Sequence, residues 1–207
     1  MKELEELKKY WIDLDKTIPR INLAEKNISN LKAILSREKL LELLPKNGIV
    51  AEIGVWKGDF SEVIIEKTSP RKLHLIDAWS SNRYNDEIRQ SVEIKFKTQI
   101  KKGQIEINYG LSIDVVDTFN DNYFDWIYID TDHSYKTTKI ELEKFSKKVK
   151  PSGIIAGHDY IIGNWNGMVK YGVIEAVYEF CSKNDWEIIY ITMEGKGHHP
   201  SFAIRKI

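Results

Sequence analysis

The sequence predicts an α/β protein whose mostly parallel sheet alternates with helices and ends in one antiparallel C-terminal hairpin. Three observations predict it. From residue 49 onward, short apolar runs alternate with segments of helical spacing. The first of those runs ends in a glycine-bearing turn, Gly54-Val-Trp-Lys-Gly58. The last two runs have no helix between them, only the loop Met193–Pro200, which is short enough to join them as a hairpin.

Each element has its own signal along the chain. Leu4, Leu7, Trp11 and Leu14 recur at helical spacing over 2–14, and Pro19 interrupts the stretch after them. A second helix is expected over 29–44, with Leu31, Ile34, Leu35, Leu40, Leu41 and Leu44 as its face, Ser29 or Asn30 as its cap and Pro45–Gly48 as its stop. Strands are expected at 49–53, 72–77, 104–108, 124–130, 154–159, 186–192 and 201–207. Helices are expected between them at 60–67, 87–101, 113–119, 137–149 and 173–184, with Pro151-Ser-Gly153 as a break before the fifth strand. Residues 1–44 read as an N-terminal helical appendage and 45–207 as the domain proper.

Composition bounds the rest. The 207 residues are 42% hydrophobic and 30% charged, ordinary for a globular chain. Lys+Arg and Asp+Glu both number 31, and a zero net charge argues against a protein built to coat nucleic acid. The single cysteine, Cys181, excludes an intrachain disulfide and a thiol metal cluster. Met1–Lys9 has no apolar core of signal-peptide length, and no later run of about 18 apolar residues would span a membrane. A reducing, cytoplasmic setting is expected, with no membrane partner.

In an open α/β sheet, ligands bind beyond the carboxyl ends of the strands. Those ends carry Glu52-Ile-Gly54, Asp77, Asn108-Tyr-Gly110, Asp130 and His158-Asp159. The glycine turn lacks both G-x-G-x-x-G and the Lys-Ser/Thr of a phosphate loop, and a carboxylate on its strand disfavours a pyrophosphate by charge repulsion. Asp77 comes about twenty residues later, the distance at which a carboxylate takes two ribose hydroxyls. Together they favour a nucleoside without a diphosphate. Trp56 sits inside the turn, where it can cover the sugar.

The segments Val50–Gly58, Leu75–Trp79, Asp125–Tyr135 and Lys150–Tyr160 resemble the motifs of class I S-adenosylmethionine-dependent methyltransferases. The likeness is to the small-molecule O-methyltransferase branch that includes catechol, macrolide-sugar and aminocoumarin enzymes, and it covers roughly 45–207. The resemblance implies a Rossmann-like fold with a seven-stranded, mostly parallel sheet. It implies S-adenosylmethionine as cofactor, with Glu52, Gly54 and Gly58 along its methionine and ribose, Asp77 on the ribose hydroxyls, Ser112 at adenine, and Asp130 near its amino group and the reacting centre. Ser61 is a further cofactor candidate.

Methyl transfer to a hydroxyl needs alignment and removal of a proton, by a base, a bound cation or both. His133, three residues beyond Asp130, is the candidate base, since an unperturbed imidazole titrates near pH 6.5. Asp130, Asp132 and Asp159 are candidate ligands for Mg2+ or another divalent cation. His158 departs from the oxygen-only pattern that the resemblance implies, because imidazole is a poor magnesium ligand. His74 reads as structural, and a metal role for His198 and His199 is disfavoured.

The acceptor pocket is expected from 79–85 and 161–168, whose polar and aromatic residues suit a small molecule or a sugar or glycan. The apolar faces of the N-terminal helices need a partner, either that pocket or a second copy in a homo-oligomer. Other readings are a nucleic-acid methyltransferase and a non-catalytic cofactor-binding module in a biosynthetic assembly. A nicotinamide dehydrogenase is disfavoured by the missing glycine fingerprint and the terminal hairpin.

Overall fold

The computed structural model describes every residue except Met1, Asn82, Trp165 and Lys196. Asn82 and Trp165, part of the expected acceptor segments, therefore lie outside the described residues.

Helix α1 (Lys2–Thr17) leads through a 3-10 turn (Glu25–Asn27) to strand β1 (Lys32–Ile34) and helix α2 (Arg37–Leu43). The alternating body comprises β2 (Ile49–Ile53), α3 (Asp59–Thr68), β3 (Lys72–Asp77), α4 (Asp86–Lys95), α5 (Lys97–Lys101), β4 (Ile105–Tyr109), α6 (Ser112–Val115), β5 (Phe124–Ile129), α7 (Tyr135–Lys148) and β6 (Val149–Gly157). A small hairpin, β7 (Gly163–Asn164) and β8 (Val169–Lys170), precedes α8 (Val173–Asn184), β9 (Trp186–Thr192) and β10 (Phe202–Lys206). The main sheet runs β1-β9-β10-β6-β5-β2-β3-β4. Only β10 opposes its neighbours, pairing antiparallel with both β6 and β9. The seven expected strands are all in this sheet, and β1 adds an eighth at its edge, parallel to β9.

Both faces of the sheet are covered, which is why its central strands are almost wholly apolar. On β5, Ile127 and Ile129 enter one core with Leu142, Phe145, Val177 and Phe180 beneath α7 and α8. Trp126 and Tyr128 point the other way, into a core with Leu40, Leu41, Ile64 and Phe96. The strand order reverses between β2 and β5. Their carboxyl ends therefore meet at the switch point where an open sheet leaves a crevice.

Three elements differ from the sequence reading. The helix expected over 29–44 is split. Lys32–Ile34 takes up the open edge of β9 instead, and the helix restarts at Ser36, whose hydroxyl accepts from Lys39 N–H at 3.2 Å. Leu31 and Leu35 are exposed, so they form no common face with Leu40 and Leu41. The helix expected over 87–101 is broken at Phe96, which turns inward and is buried. The helix expected over 137–149 starts earlier, at Tyr135, and Val149-Lys-Pro-Ser-Gly153 is already strand β6 with a register shift opposite β5.

Helix α1 is tied to β8 by an ion pair between Asp15 and Lys170. Among the described residues, no helix is long and apolar enough to cross a membrane.

Asn27 holds the edge strand's approach in place. It is fully buried, and its amide donates to the carbonyls of Cys181 at 3.1 Å and Trp186 at 2.8 Å. Asn27→Ala removes both bonds, although the Cys181 carbonyl keeps the Asp185 N–H, so about 2–3 kcal/mol of stability is expected to be lost. Differential scanning calorimetry should read this as a Tm lower by about 5–10 °C; an unchanged Tm would remove Asn27 from this role.

Candidate active site

The turn after β2 is shaped by its backbone. Gly54 has φ 89°, and a Cβ there would lie 1.8 Å from the Asp130 carbonyl oxygen, so only glycine lets the ends of β2 and β5 approach this closely. Gly58, at φ 73°, starts α3 against the Phe96 ring. Between them Trp56 is held at φ 53°, an uncommon conformation for a bulky residue.

Asp77 holds this turn. Its Oδ2 accepts from the N–H groups of Val55 at 2.8 Å and Trp56 at 3.0 Å, and its Oδ1 accepts from Trp79 N–H at 2.9 Å. The Trp79 indole N–H in turn donates to the Trp56 carbonyl at 3.0 Å. A carboxylate offers about four acceptor positions. Three are taken here, which leaves room on Oδ1 for one hydroxyl rather than the two expected.

Glu52 and Ser61 lie inside the fold rather than along the crevice. Both are buried, and the Ser61 hydroxyl donates to the Glu52 carboxyl. Burial, with Asp130 and Asp77 adding, pushes Glu52 up to about 8 despite the Ser61 bond. Ser112 donates to Glu141 at 2.6 Å, and Thr131 donates to the same carboxyl at 3.0 Å. Burial raises Glu141 to about 7. With its proton committed, the Ser112 oxygen is left as an acceptor, beside exposed Tyr109 and Leu111.

The ends of β5 and β6 bring together more histidine than the sequence reading gathered. His133 Nε2 lies 3.0 Å from Asp159 Oδ2. His158 Nδ1 lies 3.5 Å from the same oxygen and 3.6 Å from Asp130 Oδ2. His199 Nδ1 bonds the other Asp159 oxygen. The Tyr171 ring packs 4.8 Å from His133 and 6.0 Å from His199. His133 and Asp159 both sit at positive φ, 60° and 55°, which aims them at each other from separate loops. Burial opposes charge on His158, but Asp130 and Asp159 outweigh it and hold His158 up to about 9. Burial likewise opposes charge on Asp159, yet His158, His133 and His199 hold it down to about 2.

Asp130 and Asp159 are thus brought together, and Asp132 is not. Its carboxylate accepts from Ser134 N–H at 2.9 Å and the Thr137 hydroxyl at 2.8 Å, which braces the turn where Ser134 caps α7. Asp130, His133 and Asp159 each offer one donor atom within 4.8 Å of one another. That mixed nitrogen and oxygen set, crowded by two further imidazoles, does not fit magnesium, which prefers oxygen. No lysine or arginine pairs with Asp77 or Asp130 among the described residues, and Asp130 shares only the His158 imidazolium with Asp159.

His199, disfavoured as a ligand by its place in a loop, is brought to Asp159 by the sheet. β10 runs antiparallel to β6 with Phe202 opposite Gly157. Continuing that register carries 199 past 159–160, and Tyr160 N–H donates to Pro200 O at 2.9 Å.

A doubly covered sheet with a carboxylate-rich switch point and a reversed last strand is a Rossmann-like methyltransferase fold. The "Methyltransferase domain" family matches residues 51–160, and the chain belongs to that family, whose methyl donor is S-adenosylmethionine. No curated protein matches the sequence. Among solved structures, the fold is similar to the Bacillus subtilis m1A22 tRNA methyltransferase TrmK, with TM-score 0.60 and 12% identity over 84% of this chain and 67% of that one. It is similar to the pyocyanin biosynthetic protein PhzM, with TM-score 0.61 and 8% identity over 84% of this chain but only 55% of PhzM. A Streptococcus mutans protein in complex with SAH also matches, with TM-score 0.60 and 12% identity over 83% of this chain and 96% of that one.

Glu52 gives a pH test. Its folded-state value, about 8, lies above the ordinary 4.5, so the folded protein keeps a proton that the unfolded chain releases. The penalty is absent below the ordinary value, grows as pH rises through the window and is complete above the folded value. Glu52→Gln keeps the shape and removes the titration. Its Tm relative to wild type should climb between about pH 5 and pH 8 and level off beyond; a difference flat across that range would mean Glu52 is ionised in the fold.

Proposed function

We propose that the chain methylates a hydroxyl of a small molecule or sugar, with His133 as the base. The observation that carries this is the 3.0 Å contact of His133 Nε2 with Asp159, beside Asp130 at the sheet's switch point. S-adenosylmethionine, when bound, supplies an electrophilic methyl group on sulfur. The backbone of the Gly54–Gly58 turn would hold its methionine and sugar, with the exposed Trp56 indole left facing outward and the free position on Asp77 Oδ1 for a ribose hydroxyl. The Ser112 oxygen would accept from the adenine amino group. Asp130 would face the cationic end.

The chain's own groups then manage one proton. His133 Nε2 faces the Asp159 carboxylate at 3.0 Å, which favours the tautomer with its proton on Nε2 and a bare lone pair on Nδ1. An acceptor hydroxyl placed against Nδ1 passes its proton there as its oxygen gains the methyl. Asp159 stabilises the imidazolium that results, the role a carboxylate plays behind a catalytic histidine. His158 and His199 hold Asp159 in place. Tyr171 packs on the His133 ring and limits its rotation. The proton path described needs no magnesium, whose expected ligand Asp132 is turned away into the turn before α7.

His133→Ala tests the assignment against a panel of sugars, glycans and phenols. Turnover should fall by about 10²- to 10⁴-fold, while the affinity for S-adenosylhomocysteine stays within a factor of about two, since His133 is not among the donor's ligands. Full turnover in the variant would remove the base. Donor binding with no transfer to any acceptor would favour a non-catalytic module.

A further inference from the structure

Beyond the acid and histidine centre, the mouth of the crevice carries the opposite charge. Trp56 is 41% exposed although its backbone is pinned on both sides, its N–H by Asp77 and its C=O by Trp79. A bulky residue in the left-handed region costs about 1–3 kcal/mol, and such strain gathers where a side chain has work to do. Here the strained backbone presents an indole to solvent.

Three side chains surround that indole. Lys57 Nζ lies 4.8 Å from its centroid and the Arg83 guanidinium 5.8 Å. Tyr84 meets it edge-on, with centroids 6.3 Å apart, and Arg83 also lies 5.3 Å from the Tyr84 ring. Both cations face aromatic rings rather than carboxylates among the described residues. In a chain of zero net charge, two cations converging on one aromatic platform make a local positive patch.

We propose that this mouth selects an acceptor that is a ring bearing an anionic group, a sugar carrying a carboxylate or a phosphate. Its ring stacks at Trp56 and Tyr84, its anion meets Lys57 and Arg83, and its hydroxyl points inward to His133. The carboxylates further in, Asp130 and Asp159, repel the charged end and so set the orientation. This inference rests on the methyl-transfer reading and names the substrate class of that site.

The test uses full-length protein and quenching of tryptophan fluorescence by 4-nitrophenyl β-D-glucuronide, against the neutral 4-nitrophenyl β-D-glucoside. Glucose 6-phosphate and glucose serve as competitors, so that the carboxylate and phosphate arms are read separately. The glucuronide should bind about fivefold more tightly than the glucoside, with the difference gone at about 0.5 M salt and in the Lys57→Ala/Arg83→Ala double variant. Trp56→Phe should remove most of the quenching. Stronger competition by glucose 6-phosphate than by the glucuronide would assign the anion as phosphate, and the reverse as carboxylate; either outcome supports the proposal.

Equal binding of charged and neutral ligands would overturn it. So would a double variant that keeps the glucuronide preference but loses S-adenosylhomocysteine affinity about tenfold, because two surface charges that matter this much would then be serving the donor's own carboxylate. The glucuronide titration needs no donor. Failure of the methyl-transfer reading, with no S-adenosylhomocysteine binding in wild type, is therefore distinguishable from failure of this subsite.

Discussion

The Asp77 carboxylate, at the end of β3, grips the amides of Val55 and Trp56 in the turn after β2. Hydrogen bonds to an ionised acceptor are about twice as strong as neutral ones, and these offset the left-handed conformation of Trp56. With the turn closed, Gly54 can lie against the Asp130 carbonyl, which sets the spacing of β2 and β5 at the switch point. Trp79 completes the clamp through its indole. The direction of Trp56 and the approach to Asp130 both depend on this one carboxylate.

Charge is then layered with depth. Glu52 and Glu141 lie beneath the crevice, where burial favours their neutral forms. At its floor Asp159 gathers His133, His158 and His199, and His158 carries charge shared between two carboxylates. At the mouth Lys57 and Arg83 flank Trp56. A sulfonium donor and an acceptor with an outward anion suit this order of charges. The His133–Asp159 contact supplies the place for a proton.

Much of the fold was legible because its signals are periodic and local. Helix α8 and strand β9 have the bounds the sequence predicted, since an amphipathic run beside an apolar run leaves little choice. The reversed β10 was implied by the short loop before it. What failed depended on contacts distant in sequence. Lys32–Ile34 is a strand only because β9, near the other end of the chain, offers an open edge. Phe96 breaks its helix because it fills the space over Gly58. The site divides the same way. Asp130, His133 and Asp159 were named from strand ends, and they do converge. Asp132 looked equivalent in the sequence, but it braces the turn before the next helix, a use no spacing announces. His199 was invisible until the register of β10 against β6 brought it beside Asp159. The turn's demand on Asp77 was hidden too, because the three N–H groups it accepts are backbone.

On the methyl-transfer reading, the Asp77-clamped turn would be a preformed seat for an adenosyl sulfonium. Isothermal titration of the purified, folded protein with S-adenosylmethionine and with its demethylated product reads this directly. Saturable binding of both, with dissociation constants of about 1–100 μM as is usual for such substrates, is the predicted result. No heat from either ligand at millimolar concentration would contradict it.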